Sequence, residues 1–144
     1  MSVVETVGRA FLGFHQGLYE KTDGRVGHRA LVVPCLLLRT TGRRSGKPRT
    51  AALIYARDGD DYVVVGSNGG SERPPGWVHN VGAQPEVEVQ VGRRHMPGTA
   101  RVLERGDPDY DRLWQIVNDN NRRRYDGYQK KTSRPIPLVV LTPK

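Results

Sequence analysis

The 144-residue chain holds one cysteine and no apolar run near the ~20 residues a membrane-spanning helix needs. A single thiol closes no internal disulfide, so Cys35, inside the apolar run "LVVPCLLL", reads as a small buried hydrophobe suited to a reducing cytoplasm. A secretory leader is also missing, because Glu5, Arg9 and His15 interrupt what would be its apolar centre. The expected location is therefore cytoplasmic. His15, His28, His79 and His95 are scattered, with no His or Cys partner at ligand spacing, and no metal centre is expected. No base stands at a recognisable spacing from Ser67, which argues against nucleophilic catalysis. No G-x-G-x-x-G follows a strand. "GRRSGKP" is one residue short of a P-loop between its glycines, and has proline where the magnesium-binding hydroxyl belongs.

Acid is absent from one stretch in particular. Between Asp23 and Asp58 there is no Asp or Glu, while Arg25, Arg29, Arg39, Arg43, Arg44, Lys47, Arg49 and Arg57 supply eight positive charges. That equals the whole formal excess of +8, and the remaining 15 basic and 15 acidic residues cancel. Such a local field gathers anions. Five of the eight crowd into "RTTGRRSGKPRT", residues 39–50. A nucleic-acid backbone is one anion that fits, since Tyr55, Tyr125 and Tyr128 could stack bases and Arg122, Arg123, Arg124, Lys130 and Lys131 form a second basic cluster. No RNP, KH or helix-turn-helix pattern accompanies the charge, so no specific nucleic-acid partner is expected.

Periodicity gives the architecture. Val4, Val7, Phe11, Phe14 and Leu18 recur at three- and four-residue steps, one apolar face of a helix within residues 1–22. That face fits a core helix, a lid or a surface-lying membrane contact. From residue 31 the pattern becomes strand-like: "LVVPCLLLRT", "RTAALIYARD", "DDYVVVGSN", the strictly alternating "PEVEVQVG", "GTARVLER" and "IPLVVLTP". The links are mostly too short for parallel crossovers. "PPGWVHNVG" and "DPDYDRLWQIVND" read as helices, the second with Asp107 as its cap. We expect one mainly β domain over residues 1–144: a small antiparallel barrel of about six strands with flanking helices.

Three separated pieces, "TTGRRSGKPRT", "VVVGSNGGSERPPGWVHN" and "YDGYQKKTSRPIPLVVLTP", resemble in order and spacing the deazaflavin-dependent nitroreductase and quinone reductase family, the split-barrel proteins that use coenzyme F420. The resemblance implies a split β-barrel and, for the basic turn, an aromatic cofactor carrying a phosphate and an oligoglutamate tail. Arg43, Arg44 and Ser45 match the positions that hold the phosphate and first carboxylates, with Lys47 beside them and Arg49 as a second tail contact. Thr50, Ala51, Ala52, Leu53, Ile54 and Tyr55 match the strand along the ring, and Val65, Gly66, Ser67 and Asn68 a second wall. Gly76, Trp77, Val78, His79 and Asn80 match a helix near the cofactor. Tyr125 and Tyr128 match the tyrosines of the substrate pocket, with Tyr125 also touching the cofactor and Ser67 in reach as a third donor.

The implied reaction is hydride transfer from reduced F420 to a small-molecule acceptor. Some departures shape the expected acceptor. The family often has proline at Ala52 and a larger residue at Gly76, and Arg122–Arg124 stand where nitroimidazole-reducing members carry aromatics. A quinone or similar conjugated electrophile is thus the expected substrate, with a nitroaromatic second. Rival readings are a split barrel using FMN, a deazaflavin-binding protein without catalysis, and a basic nucleic-acid-binding domain. The second basic cluster and the first helix also suit an enzyme at an anionic membrane surface.

Overall fold

The computed structural model describes residues 29–30 and 33–144, with side chains from Pro34 onward. The amphipathic helix expected within residues 1–22 lies outside the described residues. The strands are β1 (Arg29–Ala30), β2 (Val33–Thr41), β3 (Pro48–Ile54), β4 (Ala56–Asp58), β5 (Asp61–Val65), β6 (Glu86–Val91), β7 (Arg94–Leu103) and β8 (Leu138–Pro143). Among the described residues three helices accompany them: α1 (Gly76–Ala83), α2 (Tyr110–Asn120) and α3 (Arg124–Lys130), with a short 3-10 turn at Asn68–Gly70.

All pairings are antiparallel, in the spatial order β1-β2-β6-β7-β8-β5-β4, with β3 on β2. This order closes the sheet. β3 lies on β2 and β4 on β5, yet Tyr55 alone separates them in the chain, so the two run end to end and carry the chain from one side of the sheet to the other. The sheet therefore curls into a barrel, with an unpaired seam where the free edge of β3 passes β5. Tyr55 holds the seam by donating its N–H to the Pro34 carbonyl (3.2 Å) and accepting at its own carbonyl from Asn120 Nδ2 (2.8 Å).

Two differences from the sequence reading concern counts and boundaries. Among the described residues there are eight strands rather than about six, because the run "RTAALIYARD" breaks at Tyr55 and a two-residue β1 pairs onto Val33 and Pro34. Helix α2 begins at Tyr110 with Asp109 at its cap, instead of following a cap at Asp107. Asp107 serves the preceding turn: its carboxylate accepts the Glu104 N–H (2.7 Å) and its N–H donates to the Glu104 carbonyl (3.0 Å).

Strand alternation sorts the apolar residues into two layers. Leu36 and Leu38 of β2, Tyr62 and Val64 of β5, Val87 and Val89 of β6, and Val139 and Leu141 of β8 fill the barrel, joined by Trp77, Val78 and Val81 of α1. The intervening residues face outward. Val63, Val65, Leu138 and Val140 pack beneath Tyr110, Leu113, Val117 and Tyr125 of α2 and α3. Each fully buried Val or Leu contributes about 1.5–3 kcal/mol, so the outer layer fixes α2 and α3 to the barrel wall.

Candidate functional site: a basic cleft at the barrel seam

The β2–β3 hairpin reverses over residues 42–47, just beyond the last pair, Thr41 with Pro48. The turn is held by its own groups. Gly42 donates its N–H to the Lys47 carbonyl (2.8 Å), Gly46 to the Gly42 carbonyl (2.8 Å), and Lys47 to Ser45 Oγ (3.2 Å). Gly46 sits at φ +71°, where a side chain would be strained. A methyl group at Gly42 would lie 2.5 Å from Ser45 Oγ, so the tightness of this cradle depends on its absence. From outside the turn comes one further bond, Arg43 N–H to Asn80 Oδ1 (3.1 Å). The N–H groups of Arg44 and Ser45 find no partner among the described residues.

Arg43, Arg44, Lys47 and Arg49 are exposed, and none forms an ion pair with a described residue. Arg39 differs. It lies on the outward side of β2, where Nη2 donates to Gln90 Oε1 (2.9 Å) and Nη1 approaches Glu88 Oε2 (3.9 Å). Four cations, rather than five, are thus left to an outside anion.

A cleft of about 400 Å³ opens between this turn, the start of β3 and the N-terminal end of α1. Arg43, Arg44, Ser45 and Arg49 form its charged side, Thr50 and Ala51 its floor, and Gly76, Trp77 and Asn80 its far wall, with Gly42 at the base. It contains no acidic residue. Free N–H groups in the first turn of α1 add to the positive potential. Beyond Thr50 and Ala51, β3 pairs only with β2, so its other edge offers backbone groups at the seam. An anionic aromatic ligand fits these features: charge-assisted donors for its acid groups, a free strand edge for its polar rim, and Trp77 for its apolar face.

Other sequence-predicted residues lie around this cleft without lining it. Ala52 is buried with Cys35 and Leu37 on the outward side of β2 and β3. Leu53 packs on the barrel core, Ile54 is half-buried, and Tyr55 is buried at the seam. Val78 points into the core against Gly66, where an added methyl would lie 2.8 Å from Val78 Cγ2. His79 is exposed on α1. Val65 belongs to the outer apolar layer, and Ser67, two residues on, is buried. Asn68, at φ +47°, donates from Nδ2 to the Arg73 carbonyl (2.9 Å).

The tyrosine pair sits on α3 as the three-residue spacing predicts. Tyr125 is buried and Tyr128 half-buried, their rings edge to face at 6.1 Å. Burial pushes the Tyr125 phenol well above the ordinary tyrosine range, against the opposing effect of a hydrogen bond with the Asn121 side chain. It therefore stays protonated. Neither tyrosine lines the basic cleft. The 3-10 turn packs on the helix that carries them: Gly70 lies so close to α3 that an added methyl would lie 2.7 Å from the Tyr128 carbonyl oxygen.

Several residues escaped the sequence reading. Arg134 clamps the loop before α1, donating to the carbonyls of Ser71 (2.8 Å), Ser67 (2.9 Å) and Gly66 (3.2 Å). Asn118, buried, accepts the Asp126 N–H (2.9 Å) and so seats the start of α3. Thr40 meets Asn80 beneath the cleft. None belongs to a motif, and only the density of asparagine at residues 118–121 could have drawn attention. Among the described residues no group of His, Cys, Asp and Glu is placed to hold a metal, and no helix is long and apolar enough to cross a membrane.

Comparison with known proteins gives the family and the fold. The model of the F420H(2)-dependent quinone reductase family matches residues 12–143. An F420H(2)-dependent quinone reductase of Mycobacterium tuberculosis is 54% identical over 137 residues, covering 94% of this chain and 92% of that protein. Among solved structures, an F420-H2 dependent reductase superposes with a TM-score of 0.67 at 37% identity, covering 75% of this chain and 93% of its own. A domain-swapped dimer gives 0.70 at 31% identity, with 92% and 98% covered. An FMN-binding protein of Nostoc punctiforme, at 15% identity and a TM-score of 0.54, shares the fold alone.

Proposed function

The chain belongs to the F420H(2)-dependent quinone reductase family, and from that premise we propose that the cleft at the barrel seam is where it holds coenzyme F420. The protein is an oxidoreductase, with a quinone as electron acceptor. Carrying the proposed location is one observation: four cations on one turn, unpaired among the described residues, beside a cleft without acid.

Arg43, Arg44 and Arg49 would grip the phosphate and tail carboxylates, each charge-assisted contact contributing about 1.5–3 kcal/mol where water is partly excluded. The free N–H groups of Arg44 and Ser45 add donors to the same anion. The open edge of β3 orients the ring, and Trp77 keeps water from one side of it. When bound, the reduced deazaflavin supplies the hydride. The acceptor then needs a proton or a hydrogen bond to its oxygen. Tyr125 keeps its proton because burial disfavours the phenolate, so it serves as a neutral donor. Tyr128, half-buried and with no hydroxyl partner among the described residues, is the more accessible of the two.

Titration of the protein with F420 and with FMN at two salt concentrations tests this reading. F420 binding should be micromolar or tighter, weakened by salt and by Arg44→Ala, with FMN much weaker because it has one phosphate and no glutamates. Equal affinity for FMN, or indifference to Arg44→Ala, refutes the placement.

A nitroaromatic is the finer, second acceptor class, to be judged by turnover against a quinone. Contact with an anionic membrane is the other finer reading. Arg122, Arg124, Lys130 and Lys131 are exposed around α3, whereas Arg123 is engaged by Asp119 and Asp126 (both 2.8 Å). Absence of flotation with anionic liposomes would remove it.

A further inference from the structure

Asn80 joins the two sides of the cleft. Its Oδ1 accepts the Arg43 N–H (3.1 Å) and its Nδ2 donates to Thr40 Oγ1 (3.1 Å). Asn80 and Thr40 are 8% and 4% exposed. The three remaining bonds that shape the turn involve only Gly42, Ser45, Gly46 and Lys47. They fix its base and leave the Arg43 peptide to be held from elsewhere. Among the described residues, Asn80 alone holds it.

We propose that Asn80 is a positioning residue, which sets the basic turn for the anion through the Arg43 peptide instead of touching the ring. The inference rests on the reading of the cleft as the F420 site. Three observations carry it. Four like charges within seven residues repel one another, so the turn needs an anchor that is not a charge. The anchor comes from α1, the opposite wall, so it also sets the width of the cleft. Finally, Thr40 fixes which way the Asn80 amide faces. With Nδ2 committed to the hydroxyl, Oδ1 is turned to the Arg43 N–H, and the two next N–H groups, of Arg44 and Ser45, remain for the ligand. An asparagine amide can make four hydrogen bonds, so the direct ring contact implied by family resemblance is the competing outcome.

The test uses Asn80→Ala and Thr40→Val. Thr40 does not line the cleft and its hydroxyl is bonded to Asn80, so Thr40→Val removes that bond while leaving every cleft-lining side chain in place, and this variant decides the matter if Asn80→Ala fails to fold. The first readout needs no cofactor: amide hydrogen exchange of Arg43 by NMR. Loss of one such bond should speed it roughly 2- to 10-fold in Asn80→Ala and in the same direction in Thr40→Val. The second readout is affinity for intact F420 and for its deazaflavin riboside, which has neither phosphate nor glutamates. Both variants should bind F420 roughly 2- to 10-fold more weakly and the riboside as wild type does. Unchanged Arg43 exchange in both variants, or a riboside affinity that falls as far as that of F420, overturns the proposal. Wild-type protein that binds neither compound overturns the cofactor reading and, with it, the purpose assigned to Asn80.

Discussion

Gly70→Ala should unsettle the connection between the tyrosine helix and the loop before α1. Gly70 has φ +84°, and an ideal methyl there would stand 2.7 Å from the Tyr128 carbonyl oxygen and 3.1 Å from Tyr128 Cα and Lys131 Cβ. The first cost is the left-handed backbone, about 1–2 kcal/mol for a residue with a side chain. The second is overpacking, about 1–3 kcal/mol, because the obstructing atoms are mostly backbone. The Tyr128 carbonyl also accepts the Lys131 N–H (3.0 Å) at the end of α3, so it cannot retreat without disturbing that bond. Together the loss is about 2–5 kcal/mol. Gly59→Ala is the matched control: Gly59 sits at φ +61° with nothing within 4 Å of its would-be methyl, so only the backbone term applies. Urea unfolding of both variants measures the difference. If Gly70→Ala loses no more than Gly59→Ala, α3 does not rest on the 3-10 turn, and the close packing of Gly70 on Tyr128 is wrong. If it loses more, quinone reduction should fall while F420 affinity changes little, because the strain falls on the tyrosine side.

Arg134→Met should destabilise the protein by about 1–3 kcal/mol, since it removes the donor shared by the Ser71, Ser67 and Gly66 carbonyls; a loss no greater than that of Arg73→Met, on the exposed part of the same loop, would refute the clamp. Burial pushes the Cys35 thiol up to about 12, so an aromatic disulfide reagent at pH 8 should label it only after unfolding, and prompt labelling of native protein would count against that burial. Cys35, Tyr110 and Tyr125 all have folded-state values raised chiefly by burial. Their contribution to stability is complete below the unfolded values, near ~8.5 for Cys and ~10 for Tyr, and is lost as pH climbs through and above them. Unfolding free energy should therefore fall steeply above about pH 10, and Tyr125→Phe should flatten the fall. An unchanged slope would place Tyr125 in water.

The basic turn was legible because its signals are local. Charge, glycine and proline within eleven residues specify a tight reversal that concentrates anions, whatever the rest of the fold does. Strand alternation was legible for a similar reason: "PEVEVQVG" places Val87, Val89 and Val91 toward the core by its period of two, as the structure has it. Gln90 shows the limit. The same alternation sends it outward, yet it is 1% exposed, with its amide bonded to Arg39 and to the Gly92 carbonyl.

Closure of the barrel was harder to see. "RTAALIYARD" is apolar enough to pass for one strand, and its break at Tyr55 depends on Pro34 and on Asn120, 65 residues downstream. The same holds for what supports the cleft. Asn80 reaches Thr40 across 40 residues, and Arg134 reaches Ser67 across 67. Neutral amides and backbone carbonyls meeting over such distances leave no period, charge run or motif. This divides the site by the range of its determinants. Groups proposed to touch the anion had to be charged and clustered, and so announced themselves. Groups that keep those charges in place work through single hydrogen bonds to peptides, each worth about 1 kcal/mol, and any of several residue types elsewhere in the chain could have supplied them. The asparagines at 118, 120 and 121 make the point together. As a sequence they are a polar helix end, yet one seats α3, one holds the barrel seam and one meets the Tyr125 phenol.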